Sequence, residues 1–556
     1  MKVLLTTFNA KYIHTSLALR WLYVVNKDRF DISFVEYTIK EEAQQTAAEI
    51  VAGGYNVVGI SVSIWNVELS RQLAAELKAL DPSIVVIVGG PEVSYEPSYF
   101  VQNWEIDYLI SGEGEFVLGE LLSAIEAGEE VDIESVSTRS RISPVVARAD
   151  INQLVTYPSP YQLEQDLKQL KNRVIYFETS RGCPYECQYC LSSLERGVRF
   201  FPQEYIEENL NYIIASETRQ VRFLDRTFNL NKRHTAFVFD HLIDNHREGL
   251  SVQFEIYADL LNDAMIDSLN ERLPKNYFRF EIGIQSTHEP TNLAVQRKQD
   301  FPLLARNIRR LMDGGKIDLH LDLIAGLPHE SYDRFVQSFN DVFTLGAKEV
   351  QLGFLKLLRG TGLRVGARAF GFVYDENPPY EIISNKDITA EELERIRDAE
   401  RALEKYWNSG RFKRTMQRLV NEEYRGRYFD LFDGIGQYYK KHQLPHIGYQ
   451  LDDLFRNLDN FLVTQDIDLP SLMRDDYYDC FVIRPSGYWK ETMPKQKRKR
   501  MLYVIGQDRD FLQTHGLTRR VVEKHCTVDE LDDGTYLLTV FWDGERKQIV
   551  YNDGHN

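Results

Sequence analysis

Short apolar runs separated by amphipathic stretches fill the first quarter of the chain. The pattern predicts strands over Val3–Thr7, Ile32–Tyr37, Asn56–Ser63, Ser83–Gly89 and Tyr108–Ile110. Between them it predicts helices over Leu17–Val25, Glu41–Ala52 and Val67–Leu80, with a last helix running to Ala127. Strand and helix alternating at this rhythm imply a parallel sheet with helices on both faces. Five such units make a flavodoxin-like (Rossmann-type) α/β domain, assigned to residues 1–135. Gly128 is placed to stop the last helix. Residues 136–170, with Glu and Ser clusters and then Tyr157-Pro158-Ser159-Pro160, read as a linker.

A second alternating series begins at Val174. It predicts strands over Val174–Glu178, Gln220–Leu224, Ser251–Tyr257, Phe278–Gly283, Ile317–Ala325 and Glu349–Phe354. Six strand–helix units give a partial (β/α)6 TIM barrel over residues 171–380, whose ligands would sit at the carboxyl ends of the strands. Residues 381–556 turn helical and aromatic-rich, as in Ala390–Tyr406, and close on β-like segments at Gly534–Trp542 and Ile549–Tyr551. They read as a third, mostly helical domain.

Composition adds limits. A chain of 556 residues exceeds what one core can serve, and 43% hydrophobic with 27% charged residues is ordinary for a folded protein. The net charge of −17 argues against nucleic acid as a partner except through a local basic patch. The one basic run, Lys495-Gln496-Lys497-Arg498-Lys499-Arg500, is read as a solvated face. No apolar run approaches the roughly 18 residues of a membrane span, and the N-terminus lacks a signal-peptide layout. A cytoplasmic protein with no membrane partner is expected. Of five cysteines, Cys480 and Cys526 stand apart and read as buried thiols, with a relay or ligand role as the alternative. Tyr477, Tyr478 and Tyr488 read as core before substrate stacking.

The other three cysteines carry the chemistry. Cys183, Cys187 and Cys190 are spaced C-x3-C-x2-C, directly after the first strand of the second series. Three thiolates can hold three irons of a [4Fe–4S] cube. The fourth iron is then open to the amino and carboxylate groups of S-adenosylmethionine (SAM), whose sulfonium an electron from the cluster would cleave. A structural zinc site would need a fourth ligand nearby, and the neighbouring sequence has none.

With Tyr189 ahead of the last cysteine, this segment resembles the signature of the radical SAM superfamily. The resemblance implies that Tyr189 packs against adenine. The later strands are similar to those of the branch containing oxygen-independent coproporphyrinogen oxidase: Phe254-Glu255-Ile256, Gly283-Ile284-Gln285-Ser286, Arg297 twelve positions after Gln285, and Leu321-Asp322-Leu323-Ile324-Ala325-Gly326-Leu327-Pro328. That branch implies Glu255 on a ribose hydroxyl. It puts Gln285, Arg297 and Asp322 on the ribose and the methionine end, with Arg297 pairing the carboxylate. Gly326 would let backbone approach adenine. The usual Gly-Gly-Glu at the second strand is replaced by Phe223-Leu224-Asp225-Arg226-Thr227-Phe228. Cobalamin-binding members often carry an aspartate there, so Asp225 is expected to receive the SAM amino group, with a helix N-cap as the alternative.

The strand ends of the first domain resemble cobalamin-binding domains of the group that includes the anaerobic cyclase of chlorophyll synthesis. The residues concerned are Ser61-Val62-Ser63, Gly89-Gly90-Pro91-Glu92 and Gly112-Glu113-Gly114-Glu115. The resemblance implies a corrin and nucleotide tail against Gly89, Gly90, Gly112, Glu113 and Gly114, with Ser61 and Ser63 hydrogen-bonding the tail. Glycines that merely end strands are the plainer account. The Asp-x-His-x-x-Gly motif of corrinoid proteins with a histidine ligand to cobalt is missing. His14, the one histidine in the first loop, is assigned to the interior or to a helix start rather than to cobalt.

These resemblances cover about the first two-thirds of the chain. The remainder resembles a domain of unknown function that accompanies such enzymes. Together they imply a [4Fe–4S] cluster, SAM and cobalamin as cofactors and a low-potential electron donor such as flavodoxin or ferredoxin. The expected activity is methyl transfer to an unactivated carbon of an unidentified substrate. A non-methylating rearrangement or cyclisation, and a non-catalytic corrinoid or iron–sulfur sensor, stand as alternatives.

Overall fold

The computed structural model describes residues 1–553. Two compact units divide the chain, Met1–Leu393 and the residues from Glu394 on.

The first unit holds two six-stranded sheets. In the first, β1 (Lys2–Asn9), β2 (Asp31–Thr38), β3 (Val57–Ser61), β4 (Val85–Gly89) and β5 (Tyr108–Ile110) run parallel in the order β2-β1-β3-β4-β5. This is the flavodoxin-like order, which reverses between β1 and β3 and so opens a crevice at the strand ends. β1 is buried along nearly its whole length, as suits a central strand covered on both faces. Leu4, Val58, Ile60, Val86 and Val88 pack on one side with helix Val67–Leu80, and Val3, Leu5, Val57 and Ile87 on the other with helix Glu115–Ala127. Gly128 ends that last helix with φ 66°.

The segment read as a linker takes part in the fold. Val136–Ser137 (β6) pairs antiparallel with β5, and Ala147 bridges to Gly112. Gly112 has φ 89°, and a Cβ there would collide with the Ala147 carbonyl oxygen. Gly112→Ala is therefore expected to lower stability by about 2–4 kcal/mol, the sum of strain in the left-handed region and an overpacked contact. Gly54→Ala is the control, because Gly54 has φ 68° and open space around it. Urea midpoints of the ligand-free variants would check this, and equal midpoints would refute it.

In the second sheet, Val174–Phe177, Gln220–Phe223, Ser251–Glu255, Phe278–Gln285, Asp318–Ala325 and Glu349–Phe354 pair in chain order, all parallel. This is the partial barrel the sequence predicts. Its outward face is aromatic: Phe223 and Phe228 pack on Phe254 with ring centroids 4.4 and 4.5 Å apart. Its inward face is polar and stacked in layers by the register. Arg222 pairs with Gln253 and Gln253 with Arg279; one layer on, Glu255, Glu281, His320 and Glu349 follow one another across the strands.

Two sets of ion pairs tie the sheets together. Arg181 meets Glu115 at 2.8 Å, Glu113 at 3.1 Å and Glu178 at 2.8 Å, and Arg199 also pairs with Glu113. After β4, Arg359 pairs with Glu96 and lies 3.4 Å from Glu92, which accepts from the Tyr380 hydroxyl.

The second unit is helical and ends in an antiparallel sheet of Cys526–Glu530, Tyr536–Trp542 and Glu545–Tyr551. The first of these strands escapes the sequence reading because its alternation is short, with only Cys526 and Val528 apolar. Cys526 is buried with its thiol pushed up to about 12 by burial, and Cys480, pushed up to about 11 for the same reason, donates to the Asp476 carbonyl. Tyr477 and Tyr478 are buried and donate to Asp452 and Asp529. The basic run opens helix Lys495–Gln507; Arg498 is buried over the Tyr488 ring and Lys497 pairs with Glu530. No helix among the described residues is long and apolar enough to cross a membrane.

Candidate functional site

Cavities open at the carboxyl ends of both sheets. The first is a cleft with about 1180 Å³ of empty space, part of it open to solvent. Its floor is mostly apolar side chains and glycine backbone. Ser61, Gly89, Gly90, Gly112, Glu113 and Gly114 line it, and Ser63 does not. The backbone N–H of Ser63 instead donates to Asn66. Gly90 has φ 108°, and a Cβ there would come within 2.6 Å of the Val62 carbonyl oxygen. Close backbone packing thus requires glycine at 90 and 112 whatever the cleft holds. Glu113 spends its carboxylate on Arg181, Arg199 and the Ala149 N–H. Burial works against its ionisation, but the two arginines outweigh it and hold its pKa below the usual range. His14 faces away from the cleft and meets the Tyr176 hydroxyl at 2.7 Å.

The second cavity holds about 870 Å³ of empty space, again partly open. Cys183, Cys187 and Cys190 line it together with Tyr189, Glu255, Gln285, Arg297 and Asp322. The three thiols reach it because the chain turns sharply after strand Val174–Phe177, where Thr179 and Ser180 are pinned. What pins them is Asp225. It accepts from the Thr179 N–H at 3.0 Å, the Thr179 hydroxyl at 2.6 Å and the Ser180 hydroxyl at 2.5 Å. Burial pushes its carboxyl up to about 6. Asp225 does not line the cavity, and Asn231, not Asp225, caps the following helix. The helix-cap role weighed from the sequence thus falls to Asn231. Gly326 also lies off the lining: a Cβ there would meet Ile382 at 3.0 Å.

Arg297 is buried, and the protein itself takes up its guanidinium. It donates to the Tyr189 hydroxyl at 3.0 Å, the Tyr257 hydroxyl at 2.8 Å, Gln299 at 3.2 Å and the Gly283 carbonyl. Tyr257 stacks on Tyr185 with centroids 4.4 Å apart, so the rings and the guanidinium form one wall.

Gln285 Oε1 is buried and unbonded, and Gln285 holds a φ of 69° that a glutamine adopts only under constraint. Asp322 Oδ1 makes no aligned hydrogen bond but lies 3.1 Å from His320 Nε2. Burial pushes Asp322 and Glu255 up to about 7, against the pull of His320 and Arg226 respectively. Burial opposes the charge on His320, but Glu281, Asp322 and Glu349 overcome it and raise its pKa. Such orphaned, strained and perturbed groups gathered in one cavity mark a ligand site.

Arg226, Tyr257, Glu281 and His320 belong to this site, and the sequence reading assigned them nothing. Arg226 stood in the quoted segment beside Asp225. Strand parity signals the rest, since Glu281 and His320 occupy the inward positions paired with Glu255 and Glu349.

Among the described residues, no group of three or more His, Cys, Asp and Glu side chains is gathered to hold a metal ion. The three thiols border one cavity.

The family comparisons match both sheets with their cavities. Residues 3–122 match the B12 binding domain and residues 177–342 the Radical SAM superfamily. Residues 368–535 match "Protein of unknown function (DUF4080)". The chain is 24% identical over 320 residues to "Cobalamin-dependent radical SAM methyltransferase TokK" of Streptomyces tokunonensis, covering 53% of this chain and 46% of that one. It is 29% identical over 278 residues to "Hopanoid C-2 methylase" of Rhodopseudomonas palustris, covering 48% and 49%. The chain spans about half the length of the curated relatives it matches. In fold it is similar to the radical SAM methyltransferase TsrM of Kitasatospora setae, with a TM-score of 0.58 at 18% identity over 68% of this chain and 82% of that one. It is also similar in fold to the cobalamin-dependent SAM radical enzyme OxsB, with a TM-score of 0.60 at 14% identity over 86% and 80%.

Proposed function

We propose that this chain is a cobalamin-dependent radical SAM methyltransferase acting on carbon. The observation that carries the reading is that a cysteine-lined cavity and a glycine-lined cleft open onto one shared residue, Arg226. Chemistry begun in one cavity can then reach a group held in the other. Methyl transfer, rather than rearrangement or cyclisation, is favoured by relatives named as methyltransferases.

The residues fit the groups such an enzyme needs. Cys183, Cys187 and Cys190 would hold a [4Fe–4S] cluster. Gln285 would give SAM the partner its own buried carbonyl oxygen lacks, with Asp322 beside it on the cavity lining. The apolar floor and glycine edges of the cleft suit a broad ring with an amide rim. When bound, the cluster supplies an electron to the sulfonium of SAM and cobalamin supplies a transferable methyl group.

The chain's own contribution is placement and charge. Asp225 fixes the turn that carries the first cysteine by gripping Thr179 and Ser180. Arg297, held by Tyr189 and Tyr257, stiffens the wall beside Cys187, whose sulfur lies 3.9 Å from the guanidinium. A low-potential donor such as flavodoxin or ferredoxin would deliver the electron.

The test is anaerobic reconstitution with iron, sulfide and cobalamin, followed by reduction with SAM. Formation of 5′-deoxyadenosine without substrate, and of S-adenosylhomocysteine with it, is the expected result. Deoxyadenosine without homocysteine product would favour rearrangement. Neither product from fully loaded protein would refute the assignment.

A further inference from the structure

The lining of the cleft and the lining of the cysteine cavity have one residue in common, Arg226. It follows strand Gln220–Phe223, next to the Asp225 that pins the cysteine turn. Its side chain is exposed to these spaces, and among the described residues its guanidinium makes no hydrogen bond or ion pair. The other arginines lining either cavity are committed: Arg181 to three carboxylates and Arg297 to two phenols, a carbonyl and an amide. Its five donors are therefore open to whatever arrives where the two cavities meet.

From this we infer that Arg226 anchors the substrate through an anionic group, a carboxylate or a phosphate, and that the substrate is accordingly an acid. The inference rests on the reading of the two cavities as SAM and cobalamin sites. A substrate that passes between those cofactors must lie where both cavities open, which is at this guanidinium. Its charge is secure there, because a guanidinium keeps its proton throughout the physiological range. Glu255 and Glu195 act on it without pairing, so its donors stay unoccupied. The planar fork then favours a group with two oxygens in one plane.

SAM also carries a carboxylate, and the experiment separates the two sources. Loaded wild-type protein, Arg226→Gln and Arg226→Lys are compared without oxygen for three readouts: bound cobalamin by its absorbance, equilibrium SAM affinity, and 5′-deoxyadenosine formation. The last is measured alone and with anionic, neutral and cationic fractions of a small-molecule extract from cells that make the protein. The anionic fraction is expected to stimulate the wild type. R226Q should lose the stimulation by at least about tenfold, a larger factor than any fall in its SAM affinity or unstimulated cleavage. R226K should fall between. Three outcomes would overturn the inference: stimulation by neutral or cationic fractions only or by none, R226Q stimulated like wild type, or R226Q whose SAM affinity falls by as large a factor as its stimulation. The last would assign Arg226 to the methionine carboxylate. Wild-type protein that neither binds nor cleaves SAM would instead bring down the underlying functional reading.

Discussion

Replacing Cys190 with alanine is expected to abolish 5′-deoxyadenosine formation, a drop of about a thousandfold or more to the assay background, while leaving cobalamin binding intact. The argument is one of ligand number. Three thiols border the cavity, and the described residues bring no further cysteine or histidine to its lining. Two thiolates leave two irons of the cube without protein ligands, and the chemistry belongs to the cluster, not to any side chain. The cleft stands at the ends of the other sheet and shares only Arg226 with this cavity, so it has no reason to change. Iron content, the electron paramagnetic resonance signal of the reduced protein and its response to added SAM would check the first half, and cobalamin absorbance after desalting the second. A variant that keeps turnover would show that the thiol is not a ligand. A wild-type protein whose measurable response to cobalamin survives the substitution would favour a sensor.

The second large effect belongs to Arg181. Its guanidinium lies within 3.1 Å of Glu113, Glu115 and Glu178, and its side chain is 11% exposed. Arg181→Met would remove the cation from three largely buried carboxylates, a loss of about 3–5 kcal/mol at neutral pH. The sign with pH follows from the carboxylates. In the wild type Glu113 is held below its ordinary pKa, so its contribution is present above the unfolded value of 4.5 and fades as pH falls through the lower folded value. Without Arg181 the Glu113 carboxylate keeps only Arg199 against its burial, and the penalty of holding it ionised grows as pH rises past the ordinary carboxylate range. The deficit of R181M against wild type should be largest at pH 8 and shrink towards pH 5. Urea titrations of cofactor-free protein at the two pH values would read it. A deficit independent of pH would mean that lost packing, not charge, explains the effect.

Much of this arrangement was legible in the sequence. The cysteine spacing placed three thiols after the first barrel strand because C-x3-C-x2-C fixes a short loop whatever surrounds it. The parallel sheets followed from apolar runs of strand length, whose burial on both faces leaves no alternation to misread. Glu255 and Asp322 were found through motif position, and they do line the cavity. What the sequence withheld depends on distance between segments. Asp225 could not be told from a ligand, because its partners Thr179 and Ser180 lie more than forty positions away. Gly90 and Gly112 resembled cofactor contacts, yet Val62 and Ala147 supply their need for glycine. Arg226 gave no signal at all: an arginine after a strand means little until its side chain is known to have no partner.

The ion pairs that flank the cleft carry a practical implication. Arg181 fastens the loop after β5 to the barrel, and Arg359 with Tyr380 fastens the loop after β4. A joint latched at both of these loops resists swinging open like a book, so a bulky corrinoid is expected to enter the folded protein slowly. Loading with cobalamin should then need a longer incubation than loading with iron and sulfide, and vitamin B12 in the medium while the chain folds should shorten it.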